Sequence, residues 1–324
     1  DALVMTSANV SNVPLCKDER EVIQKLPGVV DAILTHNRSI HVRLDDSVAR
    51  ILGGQPVLLR RARGFVPAPI IVNANVDGIV ALGGIMKSTV AVGRGNACYV
   101  SQYLGIADNS ETIENGVSVL RNLLETLSVS PDMFVSDMHP GAFGEAVVLG
   151  TEEMGQAGSR AETNRVGGVG TEETRLVRVQ HHHAHVAACL GEYGISGPAV
   201  GVVYDGLGMG DDGTIWGGEI LVADHESYER VAHLDPVIMP GGDLATRYPG
   251  RMAMSYLLSA GEEGLLSVLS WIPEEEREAV RYLVESGTNS PQTSSMGRLF
   301  DAVSAVAGVC RFRRYEGQPA IELE

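Results

Sequence analysis

Positive charge is what this sequence is shortest of: 25 Lys and Arg stand against 41 Asp and Glu, a formal net charge of −16. So acidic a surface repels phosphate backbones and excludes non-specific nucleic-acid binding. No run of 18 apolar residues occurs, so no segment reads as a membrane span, and none reads as a signal peptide. Cysteine is scarce too. Cys16, Cys98, Cys189 and Cys310 lie far apart and form no C-x-x-C pair, which argues against a zinc finger or disulfide framework and for a reducing cytoplasm. Aromatics make up only 5%, whereas there are 38 glycines, a balance that suits sheet enzymes with close backbone approaches to phosphates. With 44% hydrophobic residues in 324, the chain can bury a substantial core and is long enough for two domains.

The first 70 residues read as α/β. Leu3-Val4-Met5 and Val57-Leu58-Leu59 are strand-like, Val29 to Leu34 is a further apolar run, and Asp18 caps a short helix that Pro27-Gly28 ends. Gly64-Phe65-Val66-Pro67-Ala68-Pro69 reads as an extended linker, which sets a domain boundary near residue 70. Beyond it, strands are expected at 78–84, 90–92, 133–136, 176–179, 200–204 and 215–222. Helices are expected at 110–128, with Ser110 as cap, and near 183–193, 249–260 and 298–308. Residues 150–174 lack periodicity and read as a mobile loop. The alternation favours a mixed α/β sheet. Asp1 to Met5 opens in an apolar run without a Met start and Ala320 to Glu324 ends without a polar tail, so both ends look like cuts through a longer protein.

Four of the nine histidines fall in Gln180-His181-His182-His183-Ala184-His185. On a helix His181 and His185 share one face a turn apart, and two such imidazoles can bind a divalent metal if further ligands arrive. His182 and His183 face elsewhere, to support the ligands, meet substrate or be solvated; the competing reading is a polar helix start without metal. In Val202 to Glu219 a buried strand ends in Asp205 and glycines follow. A carboxylate there can take a metal, and bare glycine N–H groups such as those of Gly206 and Gly208 can approach a phosphate. An Asp-stabilised glycine hairpin would look the same. Gly83-Gly84-Ile85-Met86-Lys87-Ser88-Thr89 lies between two strands, so it is no Walker A loop. Lys87 and Ser88 could still meet phosphate oxygens, or be an ordinary surface hairpin. The turn Pro240-Gly241-Gly242-Asp243, with Arg247 and Arg251 nearby, is a nucleotide or acyl-phosphate contact or a plain turn. Ser7, Asn9 and Arg60 could hold a phosphate or acyl group, or be a polar turn and a solvated basic patch.

Together these segments resemble one family. Met5 to Ser11, His36-Asn37-Arg38, Asp45 to Val48 and Arg60 to Gly64 are similar to the end of the YrdC-like domain of HypF-type carbamoyltransferases. Gly83 to Thr89, Ser136 to Pro140, Gln180 to His185, Asp205 to Glu219, Met239 to Asp243, Ser294 to Val303 and Tyr315 to Gln318 are similar to its actin-like domain. The resemblance implies an α/β fold: the C-terminal part of a YrdC-like domain over 1–70, then an incomplete actin-like (ASKHA) ATPase-type domain over 71–324. It implies ATP, with Mg on the nucleotide, and a divalent zinc or iron held by His181, His185 and Asp205. Lys87 and the glycines around 206–210 would face the nucleotide, and Ser7, Asn9 and Arg60 would belong to the adenylate-forming site. The implied reaction forms carbamoyl-adenylate from ATP and carbamoyl phosphate-derived carbamate. It then carries the carbamoyl group to the C-terminal cysteine of HypE in NiFe-hydrogenase maturation, in the cytoplasm, with no nucleic-acid or membrane partner.

The family's acylphosphatase and zinc-finger segments and most of its YrdC-like domain have no counterpart here. A later metal-ligating Asp segment is expected beyond Glu324, so the chain alone is expected to be inactive. An O-carbamoyltransferase acting on a small-molecule hydroxyl, a threonylcarbamoyl-tRNA transferase and a docking scaffold are the alternatives. The acidic charge opposes the tRNA reading.

Overall fold

The computed structural model describes Ala2, residues 4–139, Gly144 and residues 175–324. The chain divides into two compact units, Asp1–Val179 and Gln180–Glu324. The expected loop at 150–174 lies outside the described residues, as does Leu3.

In the first unit, helix α1 spans Glu19–Lys25 and Asp18 caps it, its side chain accepting from Glu21 N, as the sequence suggests. Strands β1 (Val48–Leu52) and β2 (Gln55–Arg60) form an antiparallel hairpin. Val4 and Met5 are not a strand, and neither is Val29 to Leu34, whose Val29 and Leu34 are exposed. An apolar run becomes a strand only where a ladder partner meets it, and among the described residues these have none.

Strands β3 (Ile70–Ile71), β4 (Ile79–Leu82), β5 (Val90–Arg94) and β6 (Ala97–Val100) join β7 (Met133–Asp137) and β8 (Arg175–Val179) across helix α2 (Ser110–Leu127). The sheet order is β3-β6-β5-β4-β7-β8, with β4 to β6 an antiparallel meander and β7 and β8 parallel to β4. The expected linker prolines at 67 and 69 fall inside this unit, and β3 directly follows them. Helix α2 forms because its apolar residues recur at three and four. Ile113, Leu120, Leu124 and Leu127 are buried against Val80, Leu82, Val90, Val92 and Phe134. Each such leucine contributes roughly 1.5–3 kcal/mol by leaving water. The cap is Asn109, not Ser110: Asn109 is extended and its Oδ1 accepts from Thr112 N at 2.9 Å, leaving Ser110 as the first helical residue.

The second unit opens with α3 (His181–Glu192), which starts two residues earlier than periodicity alone suggests, because Gln180 caps it. Strands β9 (Ala199–Met209), β10 (Ile215–Ala223) and β11 (Tyr228–His233) form an antiparallel meander. Next come β12 (Val237–Ile238), α4 (Asp243–Arg247), α5 (Pro249–Ser259) and a 3-10 turn at Glu263–Leu269. After these follow α6 (Glu274–Ser286), β13 (Gln292–Thr293), α7 (Met296–Val306) and α8 (Gln318–Leu323). Strand β13 lies parallel to β10 and antiparallel to β12. Met239, Met252, Met254, Leu269, Val280, Ala302 and Ala305 form its main core, while Val186 and Leu190 of α3 pack with Val203 and Leu221 of the meander. No element was expected over 274–286, although Pro273 and Gly287 frame α6. Among the described residues no helix is long and apolar enough to cross a membrane.

Candidate metal centre

Helix α3 presents its histidines in a fixed order because its apolar residues decide which face is buried. Val186 and Leu190 anchor it against the sheet, and His182, one turn before Val186, lies on that same face and is fully buried. His181 and His185 fall on the neighbouring face, their Nε2 atoms 3.2 Å apart. Gln180 locks the first turn. Its Oε1 accepts from His183 N at 2.8 Å, and its Nε2 donates to Met209 O at 3.0 Å and lies 3.3 Å from His182 Nδ1. Of the middle histidines, the buried His182 faces Asp205 and not solvent, and His183 Nε2 meets Asp224 O at 2.8 Å.

Strand β9 supplies the carboxylate. It does not stop at Tyr204 but runs on through the glycines to Met209. Asp205 Oδ2 lies 3.2 Å from His181 Nε2 and 3.3 Å from His182 Nε2, and Asp205 Oδ1 accepts from Gly206 N at 2.6 Å. Gly208 is pressed against the same imidazoles: a Cβ there would stand 2.6 Å from His182 Nε2 and 2.7 Å from His181 Cδ2. The glycine is what lets the strand approach the ring pair.

His181, His185 and Asp205 offer donor atoms that all lie within 4.8 Å of one another. Burial alone would raise the Asp205 carboxyl pKa. The contacts from His181 and His182, the His181 charge and the Gly206 N–H outweigh it and hold the group well below the usual carboxylate range. Oδ2 is buried and makes no well-aligned hydrogen bond, although two imidazole nitrogens lie 3.2 and 3.3 Å from it. A buried anionic oxygen without a full hydrogen bond, beside two imidazoles, fits a divalent cation. Two histidines and one carboxylate suit zinc or iron and leave coordination positions open for a reacting group.

The other residues singled out from the sequence are placed as follows. The turn at Gly241 and Gly242 has positive φ at both glycines and leads into Asp243 at the start of α4. Gly241 N donates to Ser290 Oγ at 3.1 Å. Arg251 is not a loose surface cation: it donates to Pro240 O at 3.2 Å and pairs with Glu276 at 2.6 Å. In the first unit, Lys87 is exposed at the turn between β4 and β5 with φ +50°, and the buried Ser88 hydroxyl donates to Gly84 O at 2.9 Å. Ser7 Oγ donates to Asn9 Oδ1 at 2.7 Å, and Asn9 Nδ2 donates to Val10 O and Val13 O. Arg60 pairs with Asp45 at 2.8 Å and lies over the Tyr103 ring.

Ser295 was not singled out. Its hydroxyl lies 2.6 Å from Gly206 O and 3.1 Å from Asp205 O, and it caps α7 by accepting from Arg298 N at 3.1 Å. The signal for it was local: a serine pair just before an apolar helical pattern.

The comparisons with known proteins agree with this architecture. Residues 201–324 match a family model described as a carbamoyltransferase Kae1-like domain, second subdomain, and residues 74–192 match the HypF Kae1-like domain. Residues 1–62 match the Sua5/YciO/YrdC family, described as telomere recombination. The fold is thus α/β, a YrdC-like portion followed by an actin-like, Kae1-like architecture of carbamoyltransferase type. The carbamoyltransferase HypF of Rhizobium leguminosarum bv. viciae is 38% identical over 323 residues, covering 100% of this chain and 40% of that protein. The carbamoyltransferase HypF of Rhodobacter capsulatus is 39% identical, covering 99% of this chain and 42% of that protein. A crystal structure of full-length HypF in a phosphate- and nucleotide-bound form superposes with a TM-score of 0.85 at 33% identity. It covers 98% of this chain and 47% of that one. The chain belongs to the HypF-type carbamoyltransferases and spans about two fifths of the length of the curated relatives it matches.

Proposed function

We propose that this chain carries the transfer-step metal centre of an ATP-dependent carbamoyltransferase. The whole enzyme would use ATP, with Mg on the nucleotide, and carbamoyl phosphate to form carbamoyl-adenylate. It would then pass the carbamoyl group to the C-terminal cysteine of HypE during NiFe-hydrogenase maturation in the cytoplasm. The observation that supports this most is the convergence of His181, His185 and Asp205 in a chain of this family.

In the transfer step the cysteine thiolate attacks the carbamoyl carbon, a C–S bond forms, and the C–O bond to the adenylate phosphate breaks. AMP leaves with the electron pair. A zinc or iron ion bound by the three side chains would polarise the carbamoyl oxygen or orient the phosphate. Asp205 stays ionised at neutral pH, so it supplies its negative charge without first losing a proton. His182 and Gln180 hold the first turn of α3 against β9, which keeps the donor atoms in place before substrate arrives.

The test uses the full-length protein that contains this chain, with ATP, Mg²⁺, carbamoyl phosphate and HypE, and mass spectrometry of the HypE C-terminal peptide. A carbamoyl adduct on its cysteine is expected, together with loss of the adduct in a His181→Ala/His185→Ala variant that still consumes ATP. An adduct that persists undiminished in the double variant would remove the metal centre from the reaction. No adduct on HypE, with carbamoylation of a small-molecule hydroxyl instead, would move the enzyme to the O-carbamoyltransferases.

A further inference from the structure

Glu219 on β10 is completely buried, and no step of the proposed reaction uses its carboxylate. A buried charge is costly unless it is fully bonded, and this one is. Its Oε1 accepts from Gly217 N at 3.0 Å, Gly218 N at 3.2 Å and Ser294 Oγ at 2.5 Å, and its Oε2 accepts from Arg230 Nε at 2.6 Å. Arg230 is itself held over the Trp216 ring, 4.0 Å from the centroid. Satisfied so completely, the group fixes the backbone it touches.

That backbone is the irregular point of the sheet. Gly218 pairs with Tyr204 and Trp216 with Gly208, so Gly217 alone stands opposite Asp205, Gly206 and Leu207. Strand β9 therefore bulges at the residue that carries the carboxylate of the metal centre, and bulges re-aim side chains. Gly217 has φ +157°, and a Cβ on it would meet Asp205 O at 2.5 Å and Ser295 Cα at 3.1 Å. Beyond Ser294, which donates to Glu219, the Ser295 hydroxyl lies against the carbonyls of Asp205 and Gly206. The bulge is thus gripped from β10 and from the start of α7 at once.

We propose that Glu219 is the positioning residue of the metal centre: its buried carboxylate holds the β9–β10 bulge that turns Asp205 toward His181 and His185. The proposal rests on the reading of those three residues as metal ligands. A carboxylate that only stabilised the sheet would change the melting temperature and leave metal affinity alone. A positioning carboxylate changes both affinity and ligand geometry.

The test uses the 324-residue chain and Co²⁺, whose visible absorption reports ligand geometry, with amide hydrogen exchange of the metal-free protein as a second readout. Glu219→Gln keeps the size and removes the charge facing Arg230. Its Co²⁺ affinity is expected to fall 10- to 100-fold, with a changed absorption spectrum. Its Gly206, Gly217 and Gly218 amides are expected to exchange faster than in the wild type. Wild-type affinity and spectrum in Glu219→Gln, or unchanged exchange at the bulge, would overturn the proposal. Should Glu219→Gln fail to fold by circular dichroism, Ser294→Ala removes one of the four bonds: several-fold weaker Co²⁺ binding supports the clamp, and unchanged binding overturns it. If the wild type binds no Co²⁺, the metal reading falls by itself. The exchange comparison then decides the clamp: faster exchange at the bulge supports it, and equal exchange overturns it.

Discussion

The two units begin their sheets in the same way and then diverge. In the first, β4, β5 and β6 form an antiparallel meander, and the far side of β4 is taken by the parallel β7 and β8. In the second, β9, β10 and β11 form the same meander, but among the described residues β9 pairs with β10 alone. The first hairpin pairs without a shift from Val80 and Val92 to Leu82 and Val90, whereas the second bulges at Asp205. The contrast lies in the ladder, regular in one meander and interrupted in the other. Regular pairing gives a buried sheet, and the irregular stretch with its glycines carries the carboxylate to the histidines.

The strongest way to sharpen the comparison is to probe the covered and bare faces. Leu120 is fully buried under the first sheet, so Leu120→Ala is expected to cost about 2–5 kcal/mol in denaturant unfolding. Val202, 58% exposed on β9, is expected to cost no more than about 0.5 kcal/mol as Val202→Ala in the same assay. Equal losses would mean that the Val202 face is covered in solution.

The next largest effect separates two glycines two residues apart. A Cβ on Gly208 runs into His182 and His181, whereas one on Gly206 meets nothing within 4 Å. Gly208→Ala is expected to cost about 1–3 kcal/mol by overpacking and to weaken Co²⁺ binding, while Gly206→Ala stays near wild type in both. Like behaviour of the two would break the claim that close approach of β9 to the rings builds the centre.

An acid-range effect follows from Glu219. Burial acts to raise its pKa. The Ser294 hydroxyl, the Gly217 N–H, Arg230 and the Gly218 N–H outweigh burial and leave the pKa lowered. A lowered folded-state pKa means that the stabilisation is whole above the unfolded carboxyl value, about 4.3, and is lost as pH falls through the folded value. Melting of the second unit is therefore expected to drop more steeply with acid in the wild type than in Glu219→Gln. Parallel pH curves would show that Glu219 carries no such linkage.

Much of this was legible because it depends on local pattern. Helix α2 follows from apolar spacing, the β4–β5 hairpin from apolar runs around Gly83-Gly84, and the pairing of His181 with His185 from helical geometry. Asp205 was visible as a carboxylate at a strand end, but its aim was not, because the bulge depends on the register between β9 and β10. Glu219, Ser294 and Ser295 lie in segments that resemble the family, but their meeting escaped for the same reason. They come from β10 and the segment ahead of α7, and only tertiary pairing brings them to one point. His182 was left open between support, substrate contact and solvent because its burial is set by Val186 and Leu190 meeting the sheet, not by anything in the histidine run.

The smallest expected effect tests the first unit at the start of α2. Ser110 has the residue type of a cap, but Asn109 has the extended backbone and the hydrogen bond to Thr112 N. Asn109→Ala leaves that N–H without its side-chain acceptor and is expected to cost about 1 kcal/mol. Asn109 Nδ2 also donates to Ile106 O and Asn12 O, so part of any loss comes from those bonds. Ser110→Ala, at a first-turn position with high helix propensity for alanine, is expected to be neutral or slightly stabilising. Denaturant midpoints of the two variants separate the cases. A larger loss from Ser110→Ala would place the cap one residue later, where the sequence pattern alone puts it.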